Sequence, residues 1–205
     1  MRIVGLWCVL ALVGSLLTDA DSLAQDKESA VIEICIVCHG EDGSAPNFDD
    51  VPIIAGTPAT HIEEAIYSYQ DGARRCIEEP AMCEAVFALT DEDVGIAADY
   101  FSSQKRVTSG EPYNDRLAMQ GRRLHRDHCI RCHARPEEKR AADALGIPLH
   151  GQRSAYLRYA LKSYYNGDRE TLIPQMAEKL ALLSEDDIEA LINFYASYVP
   201  PATTR

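Results

Sequence analysis

The hydrophobic residues of this chain recur mostly with the spacing of an α-helix. Two stripes follow the i, i+3, i+4, i+7 pattern: Ile62, Ala65, Ile66 and Tyr69, and then Leu157, Ala160, Leu161 and Tyr164. Thr90 with Asp93, and Ser184 with Asp187, resemble capping boxes and indicate where two further helices begin. No segment shows the convincing alternation of a half-buried strand. We therefore expect an all-α fold.

The N-terminal segment has a different pattern. An almost unbroken apolar run covers residues 3–17, directly after a short positively charged start. Ser22 and Ala24 follow at the positions preferred before a cleavage at Gln25, with an alternative cut a few residues earlier. The run is short for a membrane span, although an uncleaved anchor is the alternative. We expect residues 1–24 to be a signal peptide, and the mature protein to be exported to an oxidising periplasm.

The rest of the chain repeats itself at an offset of 94 or 95 residues. The repeated segments are 35–39 at 129–133, 68–74 at 163–169, Met82 at Met176, and 89–94 at 183–188. This period is much longer than a solenoid unit, so each copy is expected to be a domain. The repeat predicts two homologous domains, residues 25–106 and 107–205, with a linker from Gln104 to Asp115.

Composition and charge narrow the functional classes. The chain of 205 residues is 46% hydrophobic and 25% charged, which is typical of a globular protein. Its formal net charge is −12, and it is −11 after residues 1–24 are removed. Because so acidic a chain repels a phosphate backbone, we do not expect it to bind nucleic acid. Domains of about 80–90 residues have small cores, so a bound group is expected to fill part of each interior.

The repeated motif carries the chemistry. Cys35-Ile36-Val37-Cys38-His39 and Cys129-Ile130-Arg131-Cys132-His133 each have the Cys-x-x-Cys-His pattern of covalent haem c attachment. The two thiols form thioethers with the porphyrin, and the adjacent histidine becomes the proximal iron ligand. A zinc site is the alternative, but its cysteine pairs usually lie closer in sequence and it leaves the histidines unexplained. The motifs predict two haem c groups, attached through Cys35, Cys38, Cys129 and Cys132, with His39 and His133 as iron ligands.

The methionines suggest the second axial ligands. Met82 follows His39 by 43 residues, and Met176 follows His133 by 43 residues as well. Methionine opposite histidine is common in electron-transfer haems and raises the reduction potential. We therefore expect Met82 and Met176 to complete the two iron sites. Met119 has no repeat partner, and we expect it to be an ordinary core residue.

Two further cysteines occur only in the first copy. Cys76 and Cys83 flank Met82 closely, and in an oxidising compartment they are expected to form a disulfide. Alternatives are that Cys83 competes with Met82 for the iron or that the pair is redox-active.

Other polar residues have less specific patterns. The remaining histidines are expected at the surface or at a haem edge: His61, His125, His128 and His150. Four residues match between the copies, and haem propionate binding and ordinary helix packing explain them almost equally well: Tyr69, Tyr164, Arg74 and Arg169.

Together these motifs resemble the tandem two-haem class I cytochromes c. The pattern is similar to cytochrome c4 and, in the second half, closer to the cytochrome subunit of flavocytochrome c sulfide dehydrogenase. The residues that carry this likeness include Gly121, Leu124-His125, Gly151-Gln152, Tyr156-Leu157, Met176-Ala177 and 194–197. The resemblance implies two facing helical domains, His/Met ligation of both irons, and a flavoprotein partner that takes electrons from sulfide. The disulfide cysteines, His150 and Ala134 depart from the usual pattern.

The expected function is electron transfer, with no catalytic residues and no enzymatic activity of the chain on its own. One form is the cytochrome subunit of a sulfide-oxidising flavoenzyme, and the alternative is a free carrier to a terminal oxidase or reductase. A di-haem peroxidase or thiosulfate dehydrogenase is a weaker candidate. Such an enzyme needs an open or unusually ligated iron, which the paired methionines disfavour.

Overall fold

The computed structural model describes residues 27–77, 80–138, 146–171 and 173–201. The predicted signal peptide, residues 1–24, lies outside these ranges. The described chain is helical, and no β-strand forms within it, which confirms the expected all-α fold. Helix α1 covers 27–39. The later helices are α2 (Ala59–Gln70), α3 (Pro80–Val86), α4 (Asp91–Ser103), α5 (Asp115–Leu124), α6 (Ser154–Asn166), α7 (Pro174–Leu180) and α8 (Glu185–Ala196).

Helices α4 and α8 begin at the two predicted capping boxes. The Thr90 hydroxyl accepts from the backbone N–H of Asp93, whose carboxylate accepts from the Thr90 N–H. Ser184 and Asp187 make the same reciprocal pair at the start of α8. Each box satisfies two backbone donors that a helix end otherwise leaves without partners. The repeat is therefore preserved at the level of single hydrogen bonds.

The apolar side chains form two separate cores, one in each half of the chain. The first is built from α1, α2 and α4 with Val86, and the second from α6, α8 and Leu183. Their buried members are Val31, Ile62, Ile66, Val86, Val94, Ala97, Ala98 and Phe101 in the first, and Leu157, Leu183, Ile188, Leu191, Ile192, Phe194 and Tyr195 in the second. Below, the N-terminal half means residues 25–106 and the C-terminal half means residues 107–205.

Helices α5 and α8 pack very closely in the C-terminal half. A Cβ atom added to Gly121 would lie 2.0 Å from the carbonyl oxygen of Ala190, so only glycine fits at this crossing. Helix α5 continues into a π-helical turn, His125–Cys129, which leads to the second cysteine motif. Met119 also lies on α5, but it is 58% exposed, so the expectation that it is a core residue was wrong.

The segment between α4 and α5 has no helix, as the predicted linker requires. It is nevertheless held against the C-terminal half. The Ser109 N–H donates to the Gly151 carbonyl at 2.8 Å, and Arg106 donates to the carbonyls of Pro148 and His150. Gly151 has a φ of +79°, and an added Cβ would lie 2.5 Å from Thr108. The linker is thus a packed connection.

Candidate haem-attachment sites

Both cysteine motifs lie where a helix ends. Cys35 and Cys38 are in the last two turns of α1, and Cys129 ends the π-helical turn that precedes Cys132. All four thiols are free and half-buried. Among the described residues, no three His, Cys, Asp or Glu side chains cluster closely enough to hold a metal ion. The two cysteine pairs therefore do not form one zinc site.

The histidine of each motif is oriented by a backbone carbonyl. Nδ1 of His39 lies 3.1 Å from the Pro52 oxygen, and Nδ1 of His133 lies 2.9 Å from the Ile147 oxygen. Because a carbonyl oxygen only accepts, Nδ1 must carry the proton in each ring, and Nε2 keeps its lone pair. Burial lowers the pKa of both histidines and so favours the neutral ring. A neutral imidazole with its second nitrogen fixed in this way is suited to bind iron.

The first thiol of each motif, Cys35 and Cys129, is held in its neutral form. Burial raises the pKa of Cys35 to about 11 and also raises the pKa of Cys129. A thiolate is the form that binds zinc, so these environments disfavour a structural zinc site. Half-buried thiols beside a correctly oriented histidine instead fit covalent haem attachment.

The two predicted methionine ligands occupy equivalent places. Met82 is the third residue of α3 and Met176 is the third residue of α7, and both are seven-residue helices that begin with proline. Proline suits the first helical position because that N–H needs no partner within the helix. Both methionines are half-buried, and Met82 packs against the first core, as Cys35 does.

Two residues that the sequence analysis did not single out anchor the methionine helices. The Gln70 amide donates to the carbonyls of Val86 and Leu89, at 2.9 Å each. At the equivalent position, 95 residues later, the Tyr165 hydroxyl lies 2.7 Å from the Leu180 carbonyl and 2.8 Å from the Leu183 carbonyl. The repeat alignment places Gln70 and Tyr165 at equivalent positions. It could have identified this pair, although the two side chains differ in chemistry.

A disulfide joins Cys76 and Cys83 in the N-terminal half. It ties α3, which carries Met82, to the segment directly after Arg75. The C-terminal half has no cysteine at the equivalent positions. Among the described residues, a disulfide therefore holds the methionine helix of the N-terminal half only.

The halves meet around a local two-fold arrangement. Arg74 and Arg169, which are equivalent in the repeat, form an isolated antiparallel bridge. The Arg75 N–H donates to the Asp168 carbonyl at 2.7 Å, and the Glu170 N–H donates to the Ala73 carbonyl at 2.8 Å. These two bonds are interchanged by the repeat symmetry, so the symmetry axis passes between the two arginines.

Aromatic rings surround these arginines. The Arg74 guanidinium lies 5.3 Å from the centre of the Tyr69 ring, and Arg169 lies 4.7 Å from the centre of the Tyr164 ring. Burial opposes the charge of Arg169, but the surrounding tyrosines, Tyr156 first among them, raise its pKa. Two guanidinium groups at a symmetric junction form an environment that favours anionic groups.

A second contact clamps the halves together. The Gln152 side chain accepts from the Ile53 N–H at 2.9 Å and donates to the Ile53 carbonyl at 2.8 Å, and these atoms are buried. Arg153 adds a hydrogen bond to the Ser44 carbonyl at 3.1 Å. The loop next to the first cysteine motif is therefore bonded to the start of α6.

Three of the four extra histidines are not on the surface. His61, His125 and His150 are buried, and His128 is half-buried. Of the two expected locations, the surface is therefore wrong for these three, and a position at a haem edge stays a prediction. His125 Nδ1 lies 3.1 Å from the Tyr195 hydroxyl. His150 is 1% exposed, its ring nitrogens have no hydrogen-bond partner in the structure, and burial lowers its pKa to about 3.

The comparisons with known proteins agree with this geometry. No protein-family model matches the chain. A cytochrome c4 from Pseudomonas aeruginosa is 32% identical over 94% of this chain and 96% of its own length, and one from Stutzerimonas stutzeri is 32% identical over 80% and 83%. The crystal structure of reduced recombinant cytochrome c4 from Pseudomonas stutzeri superposes with a TM-score of 0.68 at 27% identity, covering 84% of this chain and 97% of that one.

Within the described ranges, no helix has the length and apolar character needed to cross a bilayer. The repeated motifs, the matched histidine–carbonyl geometry and the full-length similarity lead to one conclusion: the chain belongs to the cytochrome c4 family, the di-haem c-type cytochromes that transfer electrons between redox partners.

Proposed function

We propose that the chain is a free periplasmic electron carrier with one His/Met-ligated haem in each half. The first haem is attached to Cys35 and Cys38 and ligated by His39 and Met82. The second is attached to Cys129 and Cys132 and ligated by His133 and Met176. The observation that carries this assignment is the repeated histidine geometry, in which a backbone carbonyl orients each imidazole.

Each haem, when bound, supplies a one-electron iron couple. The residues of the chain orient the histidines and hold the methionines in place. Pro52 and Ile147 fix the orientation of the two histidines and increase their basicity through the Nδ1 hydrogen bond. Gln70 and Tyr165 hold the helices that carry the methionines. A saturated iron has no open position for substrate, so these sites suit electron transfer rather than small-molecule activation.

The junction between the halves is suited to haem propionates. Arg74 and Arg169 lie at the local symmetry axis, each over the ring of a tyrosine. Because guanidinium groups bind carboxylates well, we assign the propionates of both haems to this junction. The two cofactors then approach each other there, which supports exchange of electrons within the chain.

The proposal includes the domain limits and export. Residues 1–24 form a cleaved signal peptide, and residues 25–106 and 107–205 form the two cytochrome domains. The two separate cores support this division. The full-length match to cytochromes c4 supports a free carrier.

A second candidate is the cytochrome subunit of a flavoprotein sulfide dehydrogenase. It rests on the motifs of the second half, including His125, Gly151-Gln152 and Tyr156-Leu157. In that case a flavoprotein partner delivers electrons from sulfide to this chain.

Gentle purification of the native protein from its own cells distinguishes the two. Intact mass spectrometry gives the N-terminus and the number of haems, and absorbance under the haem bands reports flavin. We expect a two-haem protein that begins at Gln25 and has no flavin. A flavin-bearing subunit in constant ratio, with haem reduced on addition of sulfide, would establish the second candidate instead.

A further inference from the structure

The two halves differ strongly in charge. Residues 25–106 contain 17 acidic and 5 basic side chains, a net charge of −12. Residues 107–205 contain 13 acidic and 14 basic side chains, a net charge of +1. Of two domains with the same fold, one is therefore strongly acidic and the other nearly neutral overall.

Most of this difference arises around the cysteine motifs. Five positions of the C-terminal half have arginine where the N-terminal half has an acidic, apolar or small polar residue. They are Arg122 for Glu28, Arg123 for Ser29, Arg126 for Ile32, Arg131 for Val37, and Arg135 for Glu41. The segment 121–136 has a net charge of +4, and its equivalent, 27–42, has a net charge of −3.

All five arginines are exposed, and we call them together the arginine face: Arg122, Arg123, Arg126, Arg131 and Arg135. Arg122 and Arg126 are one helical turn apart and share a side of α5 and its extension. Helix α5 buries Ala118 and Gly121, and this leaves Arg122 and Arg123 on the solvent side. Asp127 is the one acid in this segment. It pairs with Arg126 at 2.9 Å, but both groups are exposed, so the pair neutralises little.

The arginine face also has apolar parts and reaches the haem-attachment site. Met119 is 58% exposed between the arginines on α5, and Ile130 is 38% exposed beside Cys129. Arg131 lies between the two motif cysteines. Apolar side chains surrounded by charged ones are typical of a protein–protein interface. A partner that contacts Arg131 lies against the motif to which the second haem would be attached.

We propose that the arginine face is the docking surface for an acidic electron-transfer protein, and that the second haem exchanges electrons with that partner. The assignment rests on the proposed function, since it requires a redox-active second haem. The N-terminal half, with the opposite charge around its motif, does not compete for this partner. The C-terminal half therefore has its own docking surface for acidic partners.

A second copy of the chain is a poorer occupant. The acidic N-terminal half of another molecule complements the face in charge. The mature net charge of −11, however, makes copies repel one another at long range.

The test uses the full two-haem protein and flavodoxin, an acidic flavoprotein, as the reductant. Stopped-flow absorbance gives the second-order rate of haem reduction as a function of ionic strength. Arg122→Glu removes one positive charge from the face and adds a negative one. Lys105→Glu makes the same change of net charge at an exposed position outside the face and is the matched control.

At low ionic strength we expect Arg122→Glu to slow reduction by roughly tenfold and Lys105→Glu by less than about twofold. The Arg122→Glu, Arg123→Glu, Arg126→Glu triple variant should lose more, and all rates should converge at high salt. Equal slowing in Arg122→Glu and Lys105→Glu, or no slowing in either, would overturn the docking surface. So would salt-sensitive self-association of the wild type that Arg122→Glu abolishes, measured by sedimentation.

A stepwise dithionite titration of each variant separates this proposal from the proposed function. If both haems take up one electron each but the flavodoxin rates do not depend on Arg122, only the docking surface is wrong. If the second haem does not titrate, the proposed function fails independently of docking.

Discussion

In the N-terminal half Val31, Ala55 and Phe101 are buried at the positions where the C-terminal half has His125, His150 and Tyr195. The surrounding frame is the same in both halves, with matching capping boxes and matching histidine–carbonyl bonds. One fold thus accepts either an apolar or a polar filling at the same three places.

The polar filling is connected to the haem site. The Tyr195 hydroxyl lies 3.1 Å from His125 Nδ1 and also interacts electrostatically with the Cys129 thiol. Burying such groups is unfavourable unless they have partners, and His150 has only ring contacts, at 5.0–5.4 Å, with its aromatic neighbours. Buried His150 therefore makes the stability of the C-terminal half depend on pH. The N-terminal half has Ala55 at the equivalent position and lacks this dependence.

The largest expected difference concerns the axial methionines. Replacement of Met82 or Met176 by histidine should lower the potential of that haem alone, by on the order of 0.1 V, because methionine ligation favours the reduced iron. Potentiometric titration followed at the haem α bands gives the two potentials, and loss of part of the charge-transfer band of Met-ligated ferric haem confirms the change of ligand.

Met119→His is the control for this pair, since Met119 is exposed on α5 and should leave both potentials unchanged. An unaltered titration in either Met82→His or Met176→His would show that the ligand assignment is wrong for that half.

The disulfide should stabilise one half only. The Cys76→Ser, Cys83→Ser double variant should lose about 2.5 kcal/mol of unfolding free energy in the N-terminal half, the chain-entropy value for so short a loop. Urea unfolding in the Met176→His and Met82→His backgrounds, followed at the charge-transfer band of the one remaining Met-ligated ferric haem, reports the N-terminal and C-terminal halves separately. An equal loss in the C-terminal half would contradict the comparison.

His150 should make the C-terminal half less stable in acid. Its folded pKa of about 3 lies below the usual 6.5, so the unfolded chain binds the proton first as the pH falls. The wild type should therefore lose about 2 kcal/mol between pH 7 and pH 5 through this group. His150→Ala, which restores the residue of the N-terminal half, should lack that share of the pH dependence.

Urea unfolding of both proteins at the two pH values gives the difference between them. The same slope in wild type and His150→Ala would show that His150 is protonated when folded, contrary to its buried environment.

The smallest effect should be equal in the two halves. Thr90→Ala and Ser184→Ala should each cost about 1 kcal/mol, because each removes the same capping hydrogen bond. Thr90→Ser keeps the hydroxyl and is the control. A clearly larger loss on one side would show that the two boxes differ in their surroundings despite matching geometry.

The sequence alone predicted the features that depend on local spacing. The helical stripes, the capping boxes and the all-α class follow from residues a few positions apart. The repeat predicted two homologous domains, and the Cys-x-x-Cys-His motifs predicted haem c as the cofactor. The disulfide between Cys76 and Cys83 was expected, and the structure contains it.

The repeat also indicated the buried cluster of His125, His150 and Tyr195. At each of these three positions the C-terminal half has a polar residue where the N-terminal half has an apolar one. A polar residue in place of a core residue is ambiguous without the fold, because it indicates either exposure or a buried partner. The three-dimensional arrangement resolves this ambiguity by placing the three rings in contact.

Only the tertiary structure decided how the halves join. The Gln152 clamp on Ile53 connects residues 99 positions apart, and the Arg74–Arg169 bridge places equivalent residues on a symmetry axis. Such contacts depend on the shapes of two finished domains, and no local pattern encodes them. The amino-acid sequence alone thus accounts for the helices, the repeat and the haem motifs. The packing of one domain on the other determines the junction between the two haem-attachment sites.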